Sequence, residues 1–217
     1  MIFDLDGVLV DSEQLWDRIR RDVVAERGGR WIDGATEAMQ GMSTQEWSHY
    51  LVSTLGVPLT PEEVAEVVTE RMAQVYVDGP PVLPDAMATL STVTSQYPTA
   101  IASSAPARII HAFLEAADLV DTIGFTISSE NASAGKPSPD VYLRAARGLG
   151  EPPEECAAVE DSSNGLRSAV AAGTTVFAVP NPHFPPAEDA LAGAYRVLGG
   201  IGELPAALSE LAAEERG

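Results

Sequence analysis

Apolar residues recur at two different spacings along this chain, and the change comes near residue 79. From Ser12 to about Tyr76 the spacing is helical. Leu15, Trp16, Ile19 and Val23 share one helix face, while Glu13, Asp17, Arg20 and Arg21 are expected to face away into solvent. Ser43-Thr44-Gln45-Glu46 and Thr60-Pro61-Glu62-Glu63 read as capping boxes, the second with proline at the first helical position. Behind the second box, Val64, Val67, Val68, Met72 and Val75 form another apolar stripe. The segment predicts a small helical bundle.

After Asp78-Gly79-Pro80-Pro81, short β-prone runs alternate with helical stretches. The runs are 99–102, 124–127, 156–159, 175–179 and 195–198, and helices are expected near 84–96, 106–117, 138–149, 163–172 and 201–211. Met1-Ile2-Phe3 is a further β-prone run, short enough that a few residues are expected to be missing before it. Strand–helix alternation implies βαβ units and an α/β fold, a parallel sheet with helices on both faces. In the simplest organisation, residues 1–11 and 79–217 form one discontinuous core and residues 12–78 are a helical insertion after the first strand. Ligand sites of such sheets lie at the carboxyl ends of strands. Asp4, Ser103 and Glu160-Asp161 all fall at such ends.

Composition narrows the partners. The 217 residues carry 32 acids and 13 basic residues, a net charge of −19, which argues against nucleic acid or an anionic membrane surface. No apolar run approaches the ~18 residues of a membrane span, and the start lacks the basic residues of a signal peptide. A single cysteine, Cys156, cannot form an intramolecular disulfide; a small buried hydrophobe in a cytoplasmic protein is the expectation.

Four stretches carry candidate chemistry. Asp4-Leu5-Asp6-Gly7 sets two carboxylates two apart at a strand end, where burial without a cation or water is costly. A calcium loop numbered from Asp4 would need glycine and glutamate where the chain has Leu9 and Leu15, and a plain acidic turn remains the simpler alternative. Ile101-Ala102-Ser103-Ser104 ends a strand in hydroxyls suited to a phosphate oxygen, or equally to capping the next helix. Gly135-Lys136-Pro137 holds the one lysine among the 13 basic residues on a stiff loop, and a compact ammonium differs from a forked guanidinium when one charge must sit between anions. Glu160-Asp161-Ser162-Ser163-Asn164-Gly165 offers oxygen ligands to a hard cation such as Mg²⁺; Ser162 and Ser163 could equally be caps, and Gly165 a close packing point.

In this order, the DxDGxLxDSE start, the strand-ending serine, the GKPxPDxY loop from Gly135 to Tyr142 and the EDSxxG turn resemble the haloacid dehalogenase-like hydrolase superfamily. The likeness is to its branch of β-phosphoglucomutase-like proteins and small sugar-phosphate phosphatases, and it covers essentially the whole chain. It implies a Rossmann-like core with a helical cap over residues 12–78. It further implies a Mg²⁺-dependent phosphatase acting on a small phosphorylated metabolite, as a monomer or weak homodimer. In that reading Asp4 is the nucleophile and Asp6 the acid and base. Asp4, Asp6 (through its carbonyl), Asp161 and Glu160 surround the metal, with Glu160 a ligand or outer-shell partner. Ser103, Ser104, Gly7 and Lys136 bind the phosphoryl group.

Two rivals differ at named positions. Dehalogenases of this superfamily generally lack an acid where this chain has Asp6. Mutases place a histidine early in the first cap helix and cations around the cap turn, where this chain has Trp16, Gln40 and Thr44. Trp16 is either core of the cap or an apolar wall over the substrate. Arg18, Arg20 and Arg21 are expected on a solvated face, and His183 is a candidate for the substrate's edge.

Overall fold

The computed structural model describes residues 1–39 and 42–214. Six strands form one parallel sheet: β1 (Ile2–Phe3), β2 (Ala100–Ser103), β3 (Phe125–Ser128), β4 (Ala157–Glu160), β5 (Thr175–Ala178) and β6 (Arg196–Val197), in the order β3-β2-β1-β4-β5-β6. This is the doubly wound order in which the chain runs outward to one side, then restarts from the centre. β1 pairs with both β2 and β4 (Ile2 with Ala100 and Ala158, Phe3 with Ile101 and Val159), so the restart places the ends of β1 and β4 side by side.

Strand side chains alternate between two cores. Phe3, Ile101, Val159 and Phe177 pack into one, together with α5 (Ala86–Thr94), α6 (Ala107–Ala116) and α10 (Leu204–Glu214). Ile2, Ala100, Ala102, Ala158, Val176 and Ala178 pack into the other, under α7 (Asp140–Leu149), α8 (Ser163–Ala171) and the short α9 (Glu188–Leu191). Burial on both faces explains why these strands read as continuous apolar runs. Phe177 is thus buried under one helical layer and Val176 under the other.

Between β1 and β2 lie α1 (Glu13–Glu26), α2 (Ala35–Met39), α3 (Thr44–Ser53) and α4 (Pro61–Asp78), all before α5. Both expected capping boxes are present: Ser43 and Glu46 close the start of α3, Thr60 and Glu63 that of α4. The connections into and out of this helical segment run together. Asp11 N–H donates to Pro81 O at 2.7 Å, and Leu83 N–H to Leu9 O at 3.0 Å. α4 also lies against α6, where Arg108 bonds Glu66 and Glu70.

The sequence boundaries shift by a few residues. β2 is 100–103 rather than 99–102, α5 is 86–94 rather than 84–96, and α10 is 204–214 after a short 3₁₀ turn. The sequence pattern does not predict α9, because four residues are too few to show a helical period. Among the described residues no helix is long and apolar enough to cross a membrane.

Candidate active site

At the end of β1, alternation turns Leu5 into the core, fully buried, and leaves Asp4 and Asp6 lining a cleft. The chain then reverses: Gly7 N–H donates to Val10 O, while Leu9 and Val10 N–H both donate to Leu5 O. Gly7 has φ +81°, and a Cβ there would stand 1.9 Å from Asp161 Oδ2. Its role is therefore to let the Asp161 carboxylate lie against the backbone of this loop.

Lys136 joins the two strand ends. Its Nζ, on a side chain 4% exposed, donates to Asp4 Oδ1 at 2.6 Å, Ala102 O at 3.1 Å and Glu160 Oε1 at 2.5 Å. The three donors of the ammonium meet acceptors on β2, on β4 and on the residue that follows β1. Burial alone would lower its pKa, but Asp4 and Glu160 hold it above the ordinary lysine value. The Lys136–Pro137 peptide is cis.

Glu160 is completely buried and fully bonded. Oε1 also accepts from the Tyr142 hydroxyl at 2.7 Å, and Oε2 accepts from the N–H groups of Asp161 and Ser162 and from Ser162 Oγ. A Cβ at Gly165 would meet this carboxylate at 1.9 Å, so Gly165 is the close packing point expected. Ser162 caps α8 through Gly165 N–H; Ser163 instead accepts from Ala187 N–H.

Asp4, Glu160 and Asp161 each place a carboxylate oxygen within 4.8 Å of the others. Burial pushes the carboxyls of Asp4 and Asp161 well above the usual range, and the neighbouring carboxylates add to it. When ionised, these three acids against the one ammonium of Lys136 leave two negative charges. Asp4 and Asp161, unlike the fully bonded Glu160, keep carboxylate oxygens open as an all-oxygen donor set. That set fits a hard divalent cation.

Asp6 is held from the helical segment. Ser12 Oγ donates to Asp6 Oδ1, and Trp16 Nε1 donates to the same oxygen at 3.2 Å. Burial raises the Asp6 carboxyl, with these two bonds opposing the shift. On the other side, Ser103 is fully buried and its Oγ accepts from Ala105 N–H at 3.0 Å, while Ser104 lines the cleft. Ser128 Oγ donates to Ala105 O and fixes the turn.

The structure therefore brings together Asp4, Asp6, Ser103, Ser104, Lys136 and Asp161 around one cleft, with Gly7 and Glu160 packed behind Asp161 and Lys136. It corrects the expectation for α1. Glu13, Asp17 and Arg20 do not face away; with Trp16 they line the cleft, opposite Met39, Met42 and Trp47. The reason is that α1 has buried partners on two sides, the bundle interior and the sheet's carboxyl end. Phe184, rather than the exposed His183, contributes from the loop after β5. Tyr142, which holds Glu160, is a functional residue that the sequence pattern assigns no role; its place six residues after Lys136 is the available signal. Gln40 of the cap turn lies, with Gly41, outside the described residues.

Known proteins resemble this chain in sequence and in fold. A family model described as haloacid dehalogenase-like hydrolase matches residues 1–173. Hexitol phosphatase B of Escherichia coli is 32% identical over 195 residues, covering 83% of each chain. The structure of CbbY from Rhodobacter sphaeroides in complex with phosphate superposes with a TM-score of 0.81 at 26% identity, covering 94% of both chains. The β-phosphoglucomutase of Clostridium difficile shares the fold, with a TM-score of 0.77 at 22% identity over 94% of this chain and 91% of that one.

Proposed function

The chain belongs to the haloacid dehalogenase-like hydrolase family and is a hydrolase of phosphomonoesters, and from that premise we propose how its own residues carry the reaction. Asp4 is the nucleophile. Its Oδ1 is tied to Lys136, so the second carboxylate oxygen attacks phosphorus, forming an aspartyl phosphate as the ester P–O bond breaks. Lys136 neutralises charge between nucleophile and phosphoryl group, assisted by the Ser103–Ser104 turn.

Asp6 gives a proton to the departing alkoxide, then takes one from the water that hydrolyses the aspartyl phosphate. Both Ser12 and Trp16 donate to Oδ1, which leaves Oδ2 to hold the labile proton. Trp16 is thus a positioning residue for the acid. Asp4, Asp161 and the Asp6 carbonyl would hold Mg²⁺. When bound, the ion offsets repulsion between Asp4 and the phosphate dianion. Glu160, with both oxygens bonded to protein donors, acts behind this shell by fixing Lys136.

Residues 12–78 act as a cap over a core of 1–11 and 79–217, and the substrate is a small sugar phosphate-like monoester. We place the enzyme in the cytoplasm, as a monomer or weak homodimer. The relatives named above support the sugar phosphate-like substrate, and the lone cysteine, buried in the second core, supports a reducing compartment.

The Lys136 clamp joining Asp4 to Glu160 carries this reading. Hydrolysis is favoured over phosphoryl migration because an indole, rather than a titratable imidazole, contacts Asp6. With β-glucose 1-phosphate and Mg²⁺, ³¹P NMR is expected to show inorganic phosphate as the net product. Accumulation of glucose 6-phosphate without phosphate release would establish a mutase instead.

A further inference from the structure

Along one face of α1, at successive helical turns, stand Glu13, Trp16, Asp17 and Arg20, and all four line the cleft. Two of these side chains are already committed. Trp16 donates to Asp6; Asp17 accepts from Arg21 Nε at 2.6 Å through Oδ2 and from Thr36 Oγ1 at 2.6 Å through Oδ1.

The other two carry unmatched atoms. The Arg20 guanidinium packs against two indoles, its Cζ 5.1 Å from the Trp16 ring centre and 4.8 Å from that of Trp47. Its Nε is buried with no hydrogen-bond partner, and among the described residues no carboxylate oxygen comes within 4.0 Å of the guanidinium. Glu13 Oε2 is likewise buried and unpartnered. Glu13 and Arg20 influence one another electrostatically, yet they form no ion pair. A buried donor and a buried acceptor without partners are expensive in an empty site and are matched by a ligand that supplies both.

Among the neutral groups that the alcohol part of a sugar phosphate-like monoester carries, the hydroxyl both donates and accepts. A second phosphate would find Arg20 but would also meet the Asp17 carboxylate and the carboxyl groups of Glu13 and Asp6. Because Trp16 touches both Asp6 and Arg20, the pair lies on the side of the departing alcohol. We propose that Glu13 and Arg20 form a hydroxyl-reading subsite for the leaving alcohol, so that the enzyme selects polyol monophosphates over alkyl phosphates and over bisphosphates. This rests on the phosphatase reading and specifies its substrate class.

The test is kcat/KM for phosphate release, with Mg²⁺, from sorbitol 6-phosphate, n-hexyl phosphate and fructose 1,6-bisphosphate. The wild type is expected to favour sorbitol 6-phosphate over each of the others by about tenfold or more, since an analogue that leaves such groups unmatched is rejected strongly. In Arg20→Met and Glu13→Gln the sorbitol-to-hexyl ratio should fall by about tenfold, approaching one. A ratio is independent of the folded fraction, and Arg20→Lys serves if Arg20→Met yields too little protein. In Glu13→Gln, fructose 1,6-bisphosphate should gain relative to sorbitol 6-phosphate. A wild-type ratio near one, or variant ratios equal to the wild type's, overturns the subsite alone. No phosphate release from any of the three by the wild type overturns the phosphatase reading, and the subsite with it.

Discussion

An ammonium directs its three N–H bonds toward the corners of a tetrahedron, and Lys136 meets an acceptor with each. A planar guanidinium cannot reach Asp4, Ala102 O and Glu160 in that geometry, which explains why a chain with twelve arginines keeps its single lysine here. Lys136→Met strands two buried carboxylates. In Mg²⁺-free buffer, denaturant titration should show a loss of about 3–5 kcal/mol; an unchanged midpoint would contradict the clamp. Glu13 is the second telling residue. Burial, then the nearby Asp6, raises its carboxyl from 4.5 to about 7. Between those pH values the folded chain holds a proton that the unfolded chain has released, so this group makes stability fall as pH rises through that window. Glu13→Gln removes the dependence. Its stability relative to wild type should therefore be greater at pH 8 than at pH 5, by up to about 3 kcal/mol. Equal differences at the two pH values would show that Glu13 is not buried as described.

At the scale of elements, local signals and packing divide the explanation. The Ser43 box is complete, with Ser43 N–H donating to Glu46 Oε2 at 2.8 Å and Glu46 N–H to Ser43 Oγ at 3.4 Å. Ser43→Ala should destabilise the protein by about 1 kcal/mol in thermal or denaturant unfolding; no measurable change would mean α3 is held by packing alone. Such boxes, and the apolar runs of Ile101 and Phe177, are short-range patterns, so they were legible in the sequence. The gathering of Asp4, Asp6 and Lys136 around one cleft was legible for a related reason: strand ends, turns and glycines mark where a parallel sheet opens. The outward assignment of Glu13, Asp17 and Arg20 failed for the converse reason. A helical wheel separates one buried face from one exposed face, but α1 is covered on two sides, by the bundle and by the sheet's carboxyl end. Tertiary context, not periodicity, sets the environment of that second face. The same holds for Trp16, whose contact with Asp6 spans ten residues of chain.

Over the whole molecule, topology concentrates the charge. The order β3-β2-β1-β4-β5-β6 sets the ends of β1 and β4 together, so Asp4 and Glu160-Asp161 converge although more than 150 residues separate them. A net charge of −19 disfavours polyanions, while in the proposed mechanism a small phosphate meets a local clamp whose cationic part is Lys136 and, when bound, Mg²⁺. The paired connections at Asp11–Pro81 and Leu9–Leu83 attach the helical segment beside that site, where Trp16 and Arg20 reach it. The central claim is metal-dependent phosphomonoester hydrolysis through Asp4. Its most direct measurement is inorganic phosphate release from a panel of small phosphomonoesters, with Mg²⁺, with EDTA, and with Asp4→Asn as a parallel sample. The account predicts turnover with Mg²⁺, its loss in EDTA, and at least a ~1000-fold lower kcat for Asp4→Asn, as for removal of a covalent nucleophile. Phosphate release that survives EDTA, or that persists in Asp4→Asn, would contradict it.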